Sequence, residues 1–243
     1  MLTTLFQSGL GPKEIIYYGL IIFFALMLSF SIHEFMHAFV ADWLGDSTPR
    51  NMGRLTMNPL AHLDPIGTVL LLVAGFGWGK PVMYNSNRLN RFKSSRVMNI
   101  MVHLAGVTGN FVLALLSGVI ATLITCLGRN VIAGSGAASI ALSTIVLAFS
   151  YTQTFSLMLL AFNLLPIPPL DGFHVLEELL PYRIRSKEGY RKFEMFSPYA
   201  IWVVFILSRV TGLNILSQVI SWIELPFALV INGACYLVSL PFG

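Results

Sequence analysis

The sequence predicts an all-α protein that crosses a membrane several times, and two observations lead to this prediction. Of its 243 residues, 56% are hydrophobic and only 11% carry a charge, whereas soluble domains have about 25% charged residues. Uncharged stretches long enough to cross a bilayer also recur, such as residues 97–128 and 130–170. We therefore expect five to six membrane segments with a re-entrant segment, and a short β-hairpin near the cytoplasmic face as an option.

The individual segments follow from the alternation of apolar and polar stretches. Residues 66–76 are apolar but too short to cross the hydrocarbon core of about 30 Å, so we expect them to be re-entrant or interfacial. Residues 80–84 are expected to form a short exposed strand. The whole chain, residues 1–243, is expected to be one membrane-embedded domain. The expected spans are residues 15–44, 97–128 and 138–165, with two further segments within 197–243.

The distribution of basic residues indicates the orientation. Twelve of the fifteen Lys and Arg residues lie in two polar segments, residues 45–96 and 166–196, and such segments remain on the cytoplasmic side. The formal charge of +4 thus reflects topology, and no nucleic-acid partner is expected. We expect a multi-pass protein of the cytoplasmic membrane.

The central motif is His33-Glu34-Phe35-Met36-His37, which lies inside the first apolar stretch. Positions four apart on a helix lie on nearly the same face, so the two imidazoles can bind one metal ion. Glu34 follows the first imidazole, where a carboxylate can take a proton from an activated water. Because ionisable residues within a span are costly and mark functional sites, we interpret the motif as a metal-dependent hydrolytic centre. The orientation places it towards the cytoplasmic face.

A catalytic zinc site has three protein ligands and one open position, so a third ligand is needed. Asp171 is the first candidate, because it follows the span 138–165 and a helix-breaking run of prolines. From the residues alone, Asp171 fits equally well as the cap of a helix that begins near Phe173. The weaker candidates are His62, Asp64, His103 and His174.

The sequence resembles the site-2 protease family of intramembrane zinc metalloproteases over about residues 20–180. The resemblance is carried by H-E-x-x-H at residues 33–37 and by N-L-L-P-I-P-P-L-D-G at residues 163–172, which is similar to the family pattern N-x-x-P-x-P-x-x-D-G. Residues 58–67 and 77–82 resemble the compact bacterial branch without PDZ or CBS domains. The middle span departs from the family pattern G-P-x-x-N, since residues 106–110 read G-V-T-G-N.

The resemblance implies a set of site residues and a reaction. His33, His37 and Asp171 are implied to hold one Zn²⁺ per chain. Glu34 is implied to act as the general base, and Asn110 to contact the substrate or the oxyanion. The implied substrate is a transmembrane protein in the lipid bilayer, cleaved within or near its membrane segment in regulated intramembrane proteolysis.

Two other interpretations compete with this one. A membrane metal transporter needs polar residues in several spans, and the second half of the chain has few of them. A non-proteolytic membrane metalloprotein has no need of the intact Glu34. His174 stands where relatives often have Arg, and its role as an extra ligand or proton carrier is left open.

Overall fold

The computed structural model of the chain describes residues 10–74, 77, 79–211 and 215–242. It is 79% helical, with no β-strand in these ranges, which confirms the predicted all-α class. Two short 3₁₀ turns, Ser86–Arg88 and Leu240–Phe242, accompany the helices. The α-helices are α1 (Pro12–Trp43), α2 (Thr48–Asn51), α3 (Pro59–His62), α4 (Pro65–Ala74), α5 (Ser95–Leu127), α6 (Arg129–Ile132), α7 (Ala137–Asn163), α8 (Asp171–Leu179), α9 (Tyr182–Arg185), α10 (Glu188–Thr211) and α11 (Ile215–Ser239).

Four of the described helical stretches are long and apolar enough to cross a membrane. Three of them are α1, α5 and α7, which confirm the predicted spans to within three residues at each end. The fourth is Ile215–Phe242, formed by α11 and the turn that follows it. These four stretches establish a membrane protein.

The predicted count of five to six membrane segments is not confirmed. Helix α10 has 24 residues, but it carries charges at both ends, including Glu194 and Arg209, and is not among the candidate spans. Residues 212–214, where the two predicted C-terminal segments divide, lie outside the described residues. Helix α4 has only 10 residues and is too short to span. The re-entrant placement predicted for residues 66–76 is not confirmed, and residues 75 and 76 lie outside the described ranges.

The strand predicted at residues 80–84 does not form. This segment has no regular secondary structure, and the ladder is limited to one antiparallel bridge between Leu63 and Gly79. The bridge does not continue into a ladder: the Lys80 N–H binds the His62 carbonyl at the bridge itself, and the Val82 N–H binds the Glu34 side chain of α1. Pro81 has no N–H to offer. The β-hairpin that this strand would have belonged to is therefore not confirmed.

Helix α5 is the central element, since it packs against α1, α7, α8 and α11. Small residues allow the close approach: Ala25 and Ala38 of α1 and Ala114 of α5 are fully buried. Polar side chains add contacts between the spans, as where Ser29 of α1 bonds to Ser156 of α7 at 2.9 Å. The C-terminal part of α1, the N-terminal part of α5 and the C-terminal end of α7 thereby meet at one end of the bundle, where the site lies.

Candidate metal centre

Helix α1 brings the two histidines of the motif to one point. His33 and His37 lie one turn apart, their rings are 4.6 Å apart between centroids, and their Nε2 atoms are 3.0 Å apart. Both face α5 rather than lipid, since their side chains are only 6% and 12% exposed. The i, i+4 spacing thus places two nitrogen donors together, as predicted.

Asp171 reaches the same point from the far end of the chain. Helix α7 ends at Asn163, and the proline-rich segment that follows, with a cis bond between Pro168 and Pro169, turns the chain into α8. Asp171 is the first residue of α8, and its Oδ2 lies 3.3 Å from Nε2 of both histidines. The cap position belongs to Leu170, so Asp171 does not fill the capping role that the residues alone left open.

Gly172 permits this turn. A Cβ on Gly172 would collide with the carbonyl group of Leu164, which is backbone and cannot move aside as a side chain can. The close packing of α8 on the end of α7 therefore requires glycine beside Asp171. This gives a steric reason for the D-G pair at the end of the second motif.

The three candidate ligand atoms, on His33, His37 and Asp171, are all acceptors, and such a set favours a bound cation. His37 Nδ1 lies 2.7 Å from the Val102 carbonyl, which can only accept, so Nδ1 carries the proton and Nε2 keeps its lone pair. The buried Asp171 Oδ2 has no hydrogen-bond partner. Buried acceptors that face one another are unfavourable without a cation. His33, His37 and Asp171, with ligand atoms within 4.8 Å of one another, therefore fit a bound metal.

The pKa of Asp171 depends on positive charge at this point: burial raises it, but protonated His37 and His33 outweigh burial and hold the pKa of Asp171 below its ordinary value. A cation held between neutral imidazoles would supply positive charge in their place and keep Asp171 a carboxylate. An ionised oxygen and two imidazole nitrogens form a donor set that is typical of catalytic zinc.

Gly106 of α5 makes room for both imidazoles. A Cβ at this position would collide with His37 Nε2 and would lie 2.5 Å from His33 Cε1. The sequence indicates that the small residues of this span let helices approach closely, but it does not indicate that Gly106 admits the two imidazoles. The absent side chain is thus a part of the site that the sequence pattern did not reveal.

Glu34 lies on α1 beside the two histidines and is 7% exposed. Its Oε2 accepts a hydrogen bond from the Val82 N–H at 2.9 Å. This contact fixes one carboxylate oxygen and leaves Oε1 free to accept a proton. The donor is a main-chain group of the irregular segment 80–84, so no sequence pattern indicated it.

The weaker third-ligand candidates are not among the described residues that form the potential metal site. The fully buried His62 bonds through Nε2 to the Thr56 carbonyl, and Asp64 accepts from the Gly67 N–H at the start of α4. His103 Nδ1 is 3.9 Å from Asp171 Oδ1, and the His174 ring stacks on His103 at 4.8 Å. His62 and Asp64 thus have local structural partners, and the other two lie beside the site.

Tyr84 contacts His103, one member of the stacked pair His103 and His174. Its hydroxyl lies 3.0 Å from His103 Nε2, and burial, aided by Glu178 and Asp171, raises the pKa of Tyr84 to about 12. Tyr84 therefore stays protonated, and its hydroxyl shares a hydrogen bond with His103. The segment 80–84 thus contacts the site twice, through Val82 and through Tyr84.

Asn110 lies one turn beyond Gly106 on α5 and is fully buried. Its amide nitrogen is 3.3 Å from His33 Nδ1. The structure thus brings the fifth predicted site residue into contact with a predicted metal ligand.

The membrane spans and this donor set together define a class of protein, the membrane metallohydrolases. The family model described as "Peptidase family M50" matches residues 21–208, more than half of the chain. The chain therefore belongs to peptidase family M50. This membership confirms the resemblance to site-2 proteases and makes the chain a zinc metalloprotease.

The names of similar proteins are consistent with this family. The "Putative zinc metalloprotease YwhC" of Bacillus subtilis is 42% identical over 162 residues, which cover 67% of this chain and 70% of the relative. The "Putative zinc metalloprotease Rip2" of Mycolicibacterium smegmatis is 31% identical over 193 residues, or 77% of this chain and 66% of the relative. Its namesake in Mycobacterium tuberculosis is 29% identical over 191 residues. No solved structure matches the chain significantly.

The contact of Gly106 with both imidazoles leads to a prediction about metal affinity. Gly106→Ala should displace both rings, and overpacking of this kind costs about 1–3 kcal/mol, equivalent to about 5- to 150-fold in affinity. Zinc affinity can be measured by competition with a chromophoric chelator. Gly233→Ala is the matched control, since a Cβ there meets no atom within 4 Å. Wild-type affinity in Gly106→Ala would show that the imidazoles do not lie against α5.

Proposed function

We propose that the chain is an intramembrane protease that hydrolyses peptide bonds within or near the transmembrane segments of membrane-protein substrates, as in regulated intramembrane proteolysis. We take residues 1–243 as a single catalytic domain in the lipid bilayer. The observation that carries the proposal is the convergence of His33, His37 and Asp171 beside Glu34. The two histidines and Glu34 lie on the candidate span α1, and Asp171 begins α8, shortly after the candidate span α7.

The proposed division of labour follows from the geometry. His33, His37 and Asp171 hold one zinc ion per chain. When bound, zinc supplies Lewis-acid chemistry, polarising the attacking water and the scissile carbonyl. Glu34 takes the proton of the attacking water through Oε1, while Val82 holds Oε2. Asn110 offers its amide N–H to the substrate carbonyl or the oxyanion.

A substrate helix must unwind before its carbonyl can react, since its backbone groups are already paired. The unwound strand then needs hydrogen-bond partners. The segment 80–84 can supply them: the Met83 N–H has no partner among the described residues, and the Met83 side chain is 59% exposed. We propose that the substrate pairs with this segment next to Val82, which holds Glu34.

The proposal is tested by reconstituting the purified chain with a transmembrane substrate in liposomes and mapping the cut by mass spectrometry. Cleavage should lie within or next to the membrane segment and should require zinc. Cleavage confined to a distant soluble loop would contradict an intramembrane site.

Substrate helix stability should control the rate of cleavage. A helix-breaking residue near the cut lowers the cost of unwinding, by about 1 kcal/mol for Gly and about 3 kcal/mol for Pro relative to Ala. Replacing Gly by Leu there should slow cleavage about fivefold, and replacing Pro by Leu roughly 100-fold. The same replacements two turns away from the cut are the control. Equal rates for all these substrates would rule out unwinding as part of the mechanism.

We further propose that the site faces the cytoplasm. Most of the basic residues lie in two segments near the site. Residues 45–94 connect α1 to α5, and residues 164–187 follow α7. Such basic segments stay on the cytoplasmic side.

Single cysteines test this orientation in a background that lacks Cys126 and Cys235, both of which are free. Ser94→Cys and Ser186→Cys should react only with an impermeant reagent supplied from the cytoplasmic side, and Ser135→Cys only from outside. All three serines are exposed, so a negative result reflects the side and not burial. Reaction of Ser94→Cys from outside would overturn the orientation.

A further inference from the structure

Both imidazoles of the candidate metal centre are fixed by α5 through their Nδ1 atoms. For His37 the partner is the Val102 carbonyl at 2.7 Å. This bond sets the tautomer in which Nε2 is free to bind a metal. An equivalent acceptor is needed at Nδ1 of His33 if both rings are to present Nε2.

At Nδ1 of His33, the neighbour is the side-chain amide of Asn110, 3.3 Å away. Asn110 has no exposed surface, and its Oδ1 is buried without a hydrogen-bond partner. The two ends of an amide have nearly the same size and shape. Packing therefore does not decide which end faces His33, and the hydrogen bonds must decide it.

The chemistry of metal binding selects one orientation. If His33 binds zinc through Nε2, its Nδ1 carries a proton and is a donor. The NH₂ group of Asn110 in front of it would set donor against donor and would leave Oδ1 unpaired. With the amide turned by 180° about its last bond, Oδ1 accepts from His33 Nδ1, and the NH₂ group takes the buried place that Oδ1 has now, where no described residue accepts from it. Both orientations leave one end of the amide unpaired, at a cost of about 1–3 kcal/mol. The turned orientation is favoured because it alone pairs the Nδ1 proton and removes the contact between two donors.

We propose that Asn110 is a positioning residue for the metal ligand His33: its side-chain carbonyl accepts the Nδ1 proton and holds the ring with Nε2 towards the metal. The inference rests on the proposed role of His33 as a zinc ligand, and it adds a role for Asn110 in metal binding itself. The NH₂ end then points away from His33.

The experiment measures zinc affinity by chelator competition on the purified full chain, with the visible spectrum of the cobalt-substituted protein as a second readout. Asn110→Leu keeps the size of the side chain and removes the acceptor, so affinity should fall about 10- to 100-fold, as is usual when a partner of a metal-ligating histidine is lost. Asn110→Asp keeps an acceptor for the Nδ1 proton and should therefore avoid this loss and keep an affinity close to that of the wild type. The cobalt spectrum should change in the first variant only.

Two controls separate the possible failures. Ser117→Ala removes another buried polar group of α5, two turns further along, and should leave affinity unchanged. His33→Ala should lose affinity more strongly than Asn110→Leu. If His33→Ala binds zinc normally, the ligand assignment itself is wrong. If His33→Ala loses zinc while Asn110→Leu keeps wild-type affinity and spectrum, or if Asn110→Asp loses affinity as much as Asn110→Leu, the positioning role of Asn110 is overturned and the protease proposal stands.

Discussion

Replacing Asp171 by alanine should remove nearly all zinc from the protein and abolish proteolysis. Asp171 supplies the one carboxylate of the donor set, and its Oδ2 is equally close, at 3.3 Å, to both imidazoles. A catalytic zinc site with two protein ligands instead of three holds its metal poorly. His33→Ala and His37→Ala should have the same effect. Zinc content after a mild chelator wash, measured by elemental analysis, should fall from about one per chain towards zero.

The matched controls are chosen from residues with the same chemistry outside the triad. Asp64→Asn alters a carboxylate that bonds to the Gly67 N–H of α4, and His174→Ala removes an imidazole that stacks on His103 and lies 3.6 Å from Glu177 Oε2. Both variants should keep zinc. Full zinc and full activity in Asp171→Ala, together with zinc loss in His174→Ala, would transfer the third-ligand role to His174.

Glu34→Gln should keep about one zinc per chain and lose about 10²- to 10⁴-fold in turnover, the usual contribution of a general base. Glutamine matches glutamate in size, and its side-chain carbonyl can still accept from the Val82 N–H. What it loses is the ability to take a proton. The measurement is kcat on a reconstituted substrate, with zinc content determined on the same preparation.

The Glu34 result has a clear contrary outcome. If Glu34→Gln loses zinc to the same extent as His33→Ala, then Glu34 is a ligand or a structural group and not the base. If it retains wild-type turnover, the proton is taken elsewhere. Only normal zinc with low turnover agrees with the proposed role.

The sequence predicted the parts of this site that depend on local spacing. His33 and His37 are four residues apart on one helix, and a helix brings such positions together whatever surrounds them. Asp171 was different, because it lies more than 130 residues further along the chain. The residues alone left its ligand and capping roles open, and the resemblance to a family favoured the ligand role. The structure brings Asp171 Oδ2 to both imidazoles and assigns the cap to Leu170.

The remaining parts depend on contacts between distant segments. Gly106 acts through a missing Cβ, and a glycine in an apolar helix has no pattern that tells which neighbour it admits. The Val82 N–H belongs to the main chain, which every residue shares. The predicted strand at residues 80–84 was wrong for the same reason: the bridge at Gly79 does not continue, and the Val82 N–H binds Glu34 instead of a neighbouring strand. Three membrane spans, α1, α5 and α7, were predicted closely because they depend on composition alone, whereas the predicted count of five to six segments is not confirmed.

The most direct test of the central claim is to locate the metal by anomalous scattering at the zinc edge in crystals of the zinc-loaded protein. The account predicts a single strong peak per chain, within coordination distance of His33 Nε2, His37 Nε2 and an Asp171 carboxylate oxygen, about 2.0–2.2 Å from each. A peak that is bound by other residues, or one that persists unchanged in crystals of Asp171→Ala, would contradict it.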